Sequence, residues 1–253
     1  MKTYEKSKME QSFSNIDNRK ISTPILEFDI VTFRAGHIYD SSVSEITFVL
    51  NPGDLAIVLL EKERVCLPLA DLAVGIVEPD AGCIKMCGSD WLSMTSEVAA
   101  ENRGQIGRVF EGNLWLDNLE VNQNIMLGQM HHTHRPIAEI TRQAADLSRV
   151  FDLPGLPLNL PSTFRGKDLA RAACVRAFMG KPVLLILERP TAGVYPELLP
   201  SLLNMLNSAR KHGAAVLWLT DNTKVWDNPG SRATIHGRMH GARMHVKKRE
   251  YQE

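Results

Sequence analysis

Apolar positions enter this chain abruptly. Residues 1–24 (MKTYEKSKMEQSFSNIDNRKISTP) are polar and charged and carry no apolar period, which predicts a flexible extension. From Ile25 three strand-like runs follow, ILEFDIVTF, SEITFVL and DLAIVLL, each bounded by Gly, Pro, Asn or Asp. Two more apolar runs, PVLLIL (182–187) and AAVLWL (214–219), show no alternation. Unbroken Val, Leu and Ile imply burial on both faces, so these read as parallel strands at the centre of a sheet. An apolar helix is expected over 69–77, a short buried strand over 105–110 (QIGRVF) and a helix over 200–211. Between 112 and 163 helical segments alternate with Pro-rich breaks. In ITRQAADLSRVFDL, Ile140, Ala144, Leu147 and Phe151 fall on one helical stripe. The order is rich in βαβ units, so the fold class is α/β, with a mostly parallel sheet and helices on both its faces. Beyond Asp221 the chain turns basic, and RATIHGRMHGARMHVKKREYQE predicts a terminal hairpin around His236-Gly237 and His240-Gly241.

At 253 residues the chain can bury a full core, in one α/β domain with a helical insert. Its 29 Lys and Arg balance 29 Asp and Glu, so charge gives no reason to expect nucleic acid as a partner. No stretch approaches the roughly 20 apolar residues of a spanning helix, and the first residues hold no apolar signal core, so a cytoplasmic location is expected. The cysteines Cys66, Cys83, Cys87 and Cys174 lack a CxxC spacing and read as reduced, mostly buried thiols.

One stretch carries most of the functional information: PGDLAIVLLEKERVCLPLADLAVGIVEPDAGCI, beginning at Pro52. Its order is that of a phosphate-binding unit, an apolar strand, a loop and an apolar helix. A working loop of this kind needs G-x-x-x-x-G-K-[ST]: bare glycine backbone lets N–H groups close on phosphate, lysine neutralises it, and the hydroxyl holds Mg²⁺. Here the loop from Leu60 to Pro68 contains no glycine at all. Glu61 and Glu63 would face a triphosphate, and a carboxylate at 4 Å from one phosphate charge costs roughly 1–4 kcal/mol. Lys62 and Arg64 offset part of that. Pro68 suits the first turn of a helix and delays its start, leaving fewer free N–H groups toward the loop.

With these flanks, residues 25–220 resemble the ATP-binding subunits of ABC transporters. The resemblance implies a P-loop NTPase-like α/β fold: a mostly parallel central sheet, an antiparallel β subdomain and a helical subdomain over about 112–163, within a domain of residues 25–225. The terminal hairpin and basic tail would occupy 226–253. Leu60 and Val65 then stand where the two glycines belong, Cys66 where the lysine belongs, and Leu67 and Pro68 where the hydroxyl pair belongs. Ala35 takes the place of the adenine-stacking aromatic, with His37 or Tyr39 as substitutes. Glu111 replaces the glutamine that reaches Mg²⁺ and the attacking water. The signature LSGGQ corresponds to Phe164-Arg165-Gly166-Lys167-Asp168. There the basic side chains either attract phosphate or block its close approach, and the blocked reading is favoured.

After PVLLIL the family's aspartate and glutamate are Glu188 and Arg189. Glu188 keeps a carboxylate, whereas Arg189 cannot accept a proton, so general-base chemistry is lost. Arg189 is expected to fill the empty site by pairing with Glu188 or Glu111. In the dimer-contact loop the aspartate is Tyr195, and the switch histidine is Asp221. The family uses ATP and Mg²⁺, and these replacements imply that both are lost. Leu114, Trp115 and Leu116 sit where transporters form the groove for a membrane subunit's coupling helix; Trp115 reads equally as subdomain core.

The implied role is a catalytically inactive subunit of a membrane transport complex, most like importer or phospholipid-trafficking types. It would lie on the cytoplasmic face of the inner membrane, bound to an integral permease, as a dimer with itself or with a second ABC ATPase subunit, and without nucleic acid. A functional ATPase with atypical motifs and a soluble ABC-like scaffold are the alternatives. His131-His132-Thr133-His134 reads as a solvated break between helices rather than a metal site, His236, His240 and His245 as surface residues, and Lys247-Lys248-Arg249 as a weak lipid-contact signal.

Overall fold

The computed structural model describes residues 23–62, 67–112 and 114–248. The expected extension, apart from residues 23 and 24, lies outside them, as do Val65, Cys66 and Arg249. Along the chain run β1 (Leu26–Phe33), β2 (Val43–Leu50), β3 (Leu55–Leu59), α1 (Leu69–Ala73), β4 (Ala81–Met86), β5 (Ser89–Asp90), α2 (Ser96–Arg103), β6 (Ile106–Val109), α3 (Val121–His132), α4 (Ile137–Val150), α5 (Gly166–Ala177), β7 (Leu184–Glu188), α6 (Leu199–Lys211), β8 (Ala215–Thr220), α7 (Thr223–Trp226), β9 (Ile235–His240) and β10 (Arg243–Lys248).

The central sheet has the order β10-β9-β3-β8-β7-β6, parallel from β9 to β6 with β10 antiparallel at one edge. A second, antiparallel sheet has the order β2-β1-β4-β5. The unbroken apolar strands are explained by two cores. Leu55, Ile57, Leu185, Leu187, Val216 and Trp218 face the helical side, built by α3 to α6. Their neighbours Ala56, Val58, Leu184, Ile186, Ala215 and Leu217 face the β1-β2-β4 sheet and α1. The expectation of helices on both faces gains detail here: α1 shares one face with the antiparallel sheet. β6 is placed by close backbone approach: a Cβ on Gly107 would lie 1.9 Å from the Ala177 carbonyl oxygen at the end of α5.

Four expectations need correction. The helix expected over 69–77 stops at Ala73. Gly75, at φ +63, closes it in a Schellman arrangement, with Ile76 N–H donating to the Asp71 carbonyl and Gly75 N–H to the Leu72 carbonyl. Trp91 Nε1 donates to the Ala73 carbonyl, and Arg103 donates to the carbonyls of Val74 and Gly75, so the last carbonyls are satisfied from elsewhere in the chain. His131 and His132 form the last turn of α3 rather than a loop. His236 is buried in β9, with its ring edge-on to Trp226 and Nε2 against the Trp226 carbonyl. The thiols are not uniformly buried: Cys174 is, Cys83 is half-buried and Cys87 is exposed in the β4–β5 turn.

The terminal strands pair across Gly241-Ala242, and β9 is also bonded to β3, so this segment belongs to the main sheet. No helix among the described residues is long and apolar enough to cross a membrane.

Candidate functional site

The carboxyl ends of the parallel strands are where open α/β sheets present ligand sites. β3, β6, β7 and β8 all end there, and each hands over to a residue singled out from the sequence. After β3, Leu60 and Leu67 are buried in the apolar core shared with the antiparallel sheet, and Leu60 N–H donates to the Thr220 carbonyl. Glu61 is turned to the terminal hairpin, where its carboxylate accepts from Gly241 N–H at 3.2 Å. Of the other loop residues, Val65 and Cys66 fall outside the described chain.

At the remaining strand ends two guanidinium groups bind four carboxylates. Arg189, just beyond β7, pairs through Nη1 with Glu111 Oε2 and through Nε with Asp221 Oδ2 at 3.2 Å. Its side chain is only 10% exposed, and its backbone sits at φ +43 with N–H donated to the Leu219 carbonyl. Glu111 is thus the partner that forms, and Glu188 is not. Glu188 is held instead by Arg108 of β6, Nε to Oε1 at 2.7 Å, while Arg108 Nη1 reaches Asp71 Oδ1 of α1, also at 2.7 Å. Asp71 in turn accepts from the Tyr39 hydroxyl at 2.8 Å. Burial pushes the Glu188 carboxyl above its ordinary range, and the Arg108 guanidinium pulls against that shift.

A third arginine, Arg176 of α5, lies between the rings of Phe110 and Trp115, with its guanidinium carbon 5.2 Å and 4.6 Å from their centroids. Its Nη1 donates to the Leu114 carbonyl at 2.8 Å, and burial pulls its pKa down to about 10, leaving it charged at neutral pH. Trp115 is half-buried and packs against the helical-side core, whereas Leu114 and Leu116 are exposed on the wall of a groove of about 990 Å³ between β6, α3 and α5.

The signature segment is placed separately. Phe164 packs on the helical-side core, and Arg165 is the N-cap residue of α5, with no side-chain cap. Gly166, Lys167 and Asp168 make the first turn. Lys167 pairs with Glu197 at 3.4 Å, both side chains exposed, and Tyr195 packs half-buried nearby in the same core. The sequence reading offered Glu188 or Glu111 as the partner of Arg189; it did not foresee the pairing with Asp221, and it missed Arg108, Asp71 and Arg176. The signal for Arg108 was available: a charge inside the apolar strand QIGRVF requires a buried partner.

No protein-family model matches the chain. It is 28% identical over 204 residues to the molybdate/tungstate import ATP-binding protein WtpC of Thermococcus kodakarensis, an alignment covering 80% of this chain and 58% of that protein. It is 24% identical over 205 residues to the cell division ATP-binding protein FtsE of Escherichia coli, covering 78% and 89%. With the lipoprotein-releasing system ATP-binding protein LolD 1 of Rhodopirellula baltica it shares 24% identity over 150 residues, covering 59% and 65%. The chain spans less than two thirds of the length of WtpC. Among solved structures, a dimeric bacterial ABC transporter cassette superposes with a TM-score of 0.77 at 14% identity, covering 89% of this chain and all of that one.

Proposed function

We propose that this chain, which is similar to ATP-binding proteins of ABC transporters and shares the fold of an ABC transporter cassette, is a catalytically inactive subunit of a membrane transport complex. One observation carries the reading. At the strand ends where hydrolysis would be assembled, an arginine stands in the general-base position and is joined to the residues at the metal-contact and switch positions, Glu111 and Asp221. A guanidinium held in two ion pairs accepts no proton from water. The apolar Leu60 and Leu67 are buried where backbone amides and a hydroxyl would be needed for phosphate.

The partner on this reading is an integral membrane permease, which inserts a helix into the groove beside Leu114 and Leu116. The subunit pairs with itself or with a second ABC ATPase subunit, peripheral to the cytoplasmic face of the inner membrane. A lipid cargo is the specialisation that the name of the lipoprotein-releasing relative supports. ATP and Mg²⁺ are not cofactors here. Equilibrium binding of labelled ATP with Mg²⁺ tests the first half: saturable binding in the micromolar range, or turnover, overturns it. Detergent-extract capture tests the second: an integral membrane protein should co-purify with the wild type and be lost from Leu116→Asp. Retention of the same partner by the variant overturns the assignment of the groove.

A further inference from the structure

We infer that Arg189, Arg108 and Arg176 form a clamp holding residues 110–112 and 114–116 in one docking conformation without nucleotide, so that the neighbouring groove is presented permanently. The identity of the docking partner rests on the proposed function; the clamp does not.

The anchors are numerous and come from four elements. The Phe110 ring is faced by the guanidinium groups of Arg108, at 4.5 Å, and Arg176, at 5.2 Å. The Glu111 carboxylate is taken by Arg189, and the Leu114 carbonyl by Arg176. Trp115 lies beneath Arg176. Both backbone groups of Leu116 are bonded to the buried Asn124 side chain of α3, at 2.9 and 3.1 Å, and the same amide also donates to the carbonyls of Leu119 and Glu120. Anchoring therefore runs from β6, from the turn after β7, from α3 and from α5 at once. It ties the central sheet to the helical side through a single short stretch.

Leu114 adds independent support. Its backbone lies at φ +36, a conformation that a branched side chain keeps only where its surroundings over-determine it. The same residue is 64% exposed, and Leu116 is 48% exposed, so the stretch holds two apolar side chains toward solvent instead of burying them. A surface whose backbone is already fixed forfeits less conformational entropy when a partner binds. Glu111 stands where the family resemblance places a contact to Mg²⁺ and water, and here a guanidinium of the chain itself takes that carboxylate. Residues 110–112 and 114–116 then need no ligand to be held in place.

Hydrogen-exchange mass spectrometry on the full chain tests this. In the wild type, the Leu116 amide, which donates to Asn124 Oδ1, should exchange slowly, at a rate unchanged by Mg-ATP. In Arg189→Gln, exchange there should rise about tenfold or more through loss of two charge-assisted bonds, with β3, β7 and β8 unaffected. Glu111→Ala changes a partly exposed side chain and should give a smaller rise in the same peptides, so the test survives if Arg189→Gln fails to fold. Rates within about twofold of wild type in the folded variants, or fast exchange already in the wild type, overturn the clamp. Protection of the stretch by Mg-ATP with the variant effects intact would instead sink the catalytically inactive reading and the nucleotide independence, leaving the anchoring.

Discussion

Replacing Arg108 by Leu should be among the most destabilising single changes at the strand ends, through the carboxylate left behind more than through the bonds removed. Arg108 is 13% exposed and Glu188 12%, so this pair is well shielded; Asp71, at 26%, retains more solvent contact. Breaking a buried pair from one side typically costs about 3–5 kcal/mol, because the surviving charge keeps its desolvation penalty. That is a large share of a total stability of about 5–15 kcal/mol. Replacing both partners, Arg108→Leu with Glu188→Leu, should recover most of the loss, since well-packed apolar pairs are about neutral against buried ion pairs. Urea unfolding followed by far-UV circular dichroism measures this. With a slope of about 3 kcal/mol/M, the single variant should lose about 1–1.7 M in midpoint, and the double variant less than half of that.

The pH dependence gives a second handle on the same charge. Burial already raises the Glu188 carboxyl above its ordinary range, and loss of the guanidinium that opposes this raises it further. A group whose folded pKa lies above its unfolded value contributes stability present below the unfolded pKa and lost as pH rises through the folded one. The Arg108→Leu deficit should therefore be largest at neutral pH and shrink as pH falls toward the ordinary glutamate pKa of about 4. A deficit under about 1 kcal/mol, one that does not change with pH, or a double variant as unstable as the single would each refute the account.

Two shorter predictions concern packing and reactivity. Gly107→Ala should fail to fold or lose several kcal/mol, since its Cβ would lie 1.9 Å from a backbone oxygen that cannot move without shifting α5; thermal unfolding of the purified variant checks it. Cys174, whose thiol burial pushes up to about 12, should resist iodoacetamide at pH 8 in the native protein while exposed Cys87 is alkylated, which peptide mass mapping reads directly.

The parts of the fold that were legible in the sequence are those set by local pattern. The runs at 55–60, 182–187 and 214–219 are apolar at every position because each strand feeds two cores, and that requirement is visible without knowing what lies on either side. The stripe Ile140, Ala144, Leu147 and Phe151 is buried for the same kind of reason. The end of α1 was read late because Val74, Ile76 and Val77 continue the apolar pattern. What ends the helix is Gly75 together with Trp91 and Arg103, whose side chains arrive from 18 to 29 residues away. Asp71 and Arg108 looked like ordinary polar punctuation for a similar reason: a contact across 37 positions leaves no local period. The pairing of Arg189 with Glu111 was reachable only because the family resemblance set the two positions side by side.

On the proposed reading, the charge arithmetic of the strand ends explains how such a site persists without its chemistry. Asp71, Glu111, Glu188 and Asp221 gather four carboxylates at the carboxyl ends of parallel strands, one of them largely buried. Left alone they would repel one another, and protonation or a cation would have to relieve them. In a nucleotide-hydrolysing site a metal ion and its ligand share that task, which makes local order depend on what is bound. Here Arg108 and Arg189 supply the positive charge covalently, each shared between two carboxylates from different elements. On the proposed reading this substitution does two things with one side-chain type. It removes the base that hydrolysis requires, and it makes the order of the strand ends a property of the chain alone. The same cannot be said of Arg176, which stacks on rings and bonds a carbonyl, and whose contribution should be insensitive to salt where that of Arg189 is not. Raising ionic strength should therefore shrink the effect of Arg189→Gln on Leu116 exchange while leaving that of Arg176→Gln unchanged, and an equal fall in both would show that the ion pairs do not act separately.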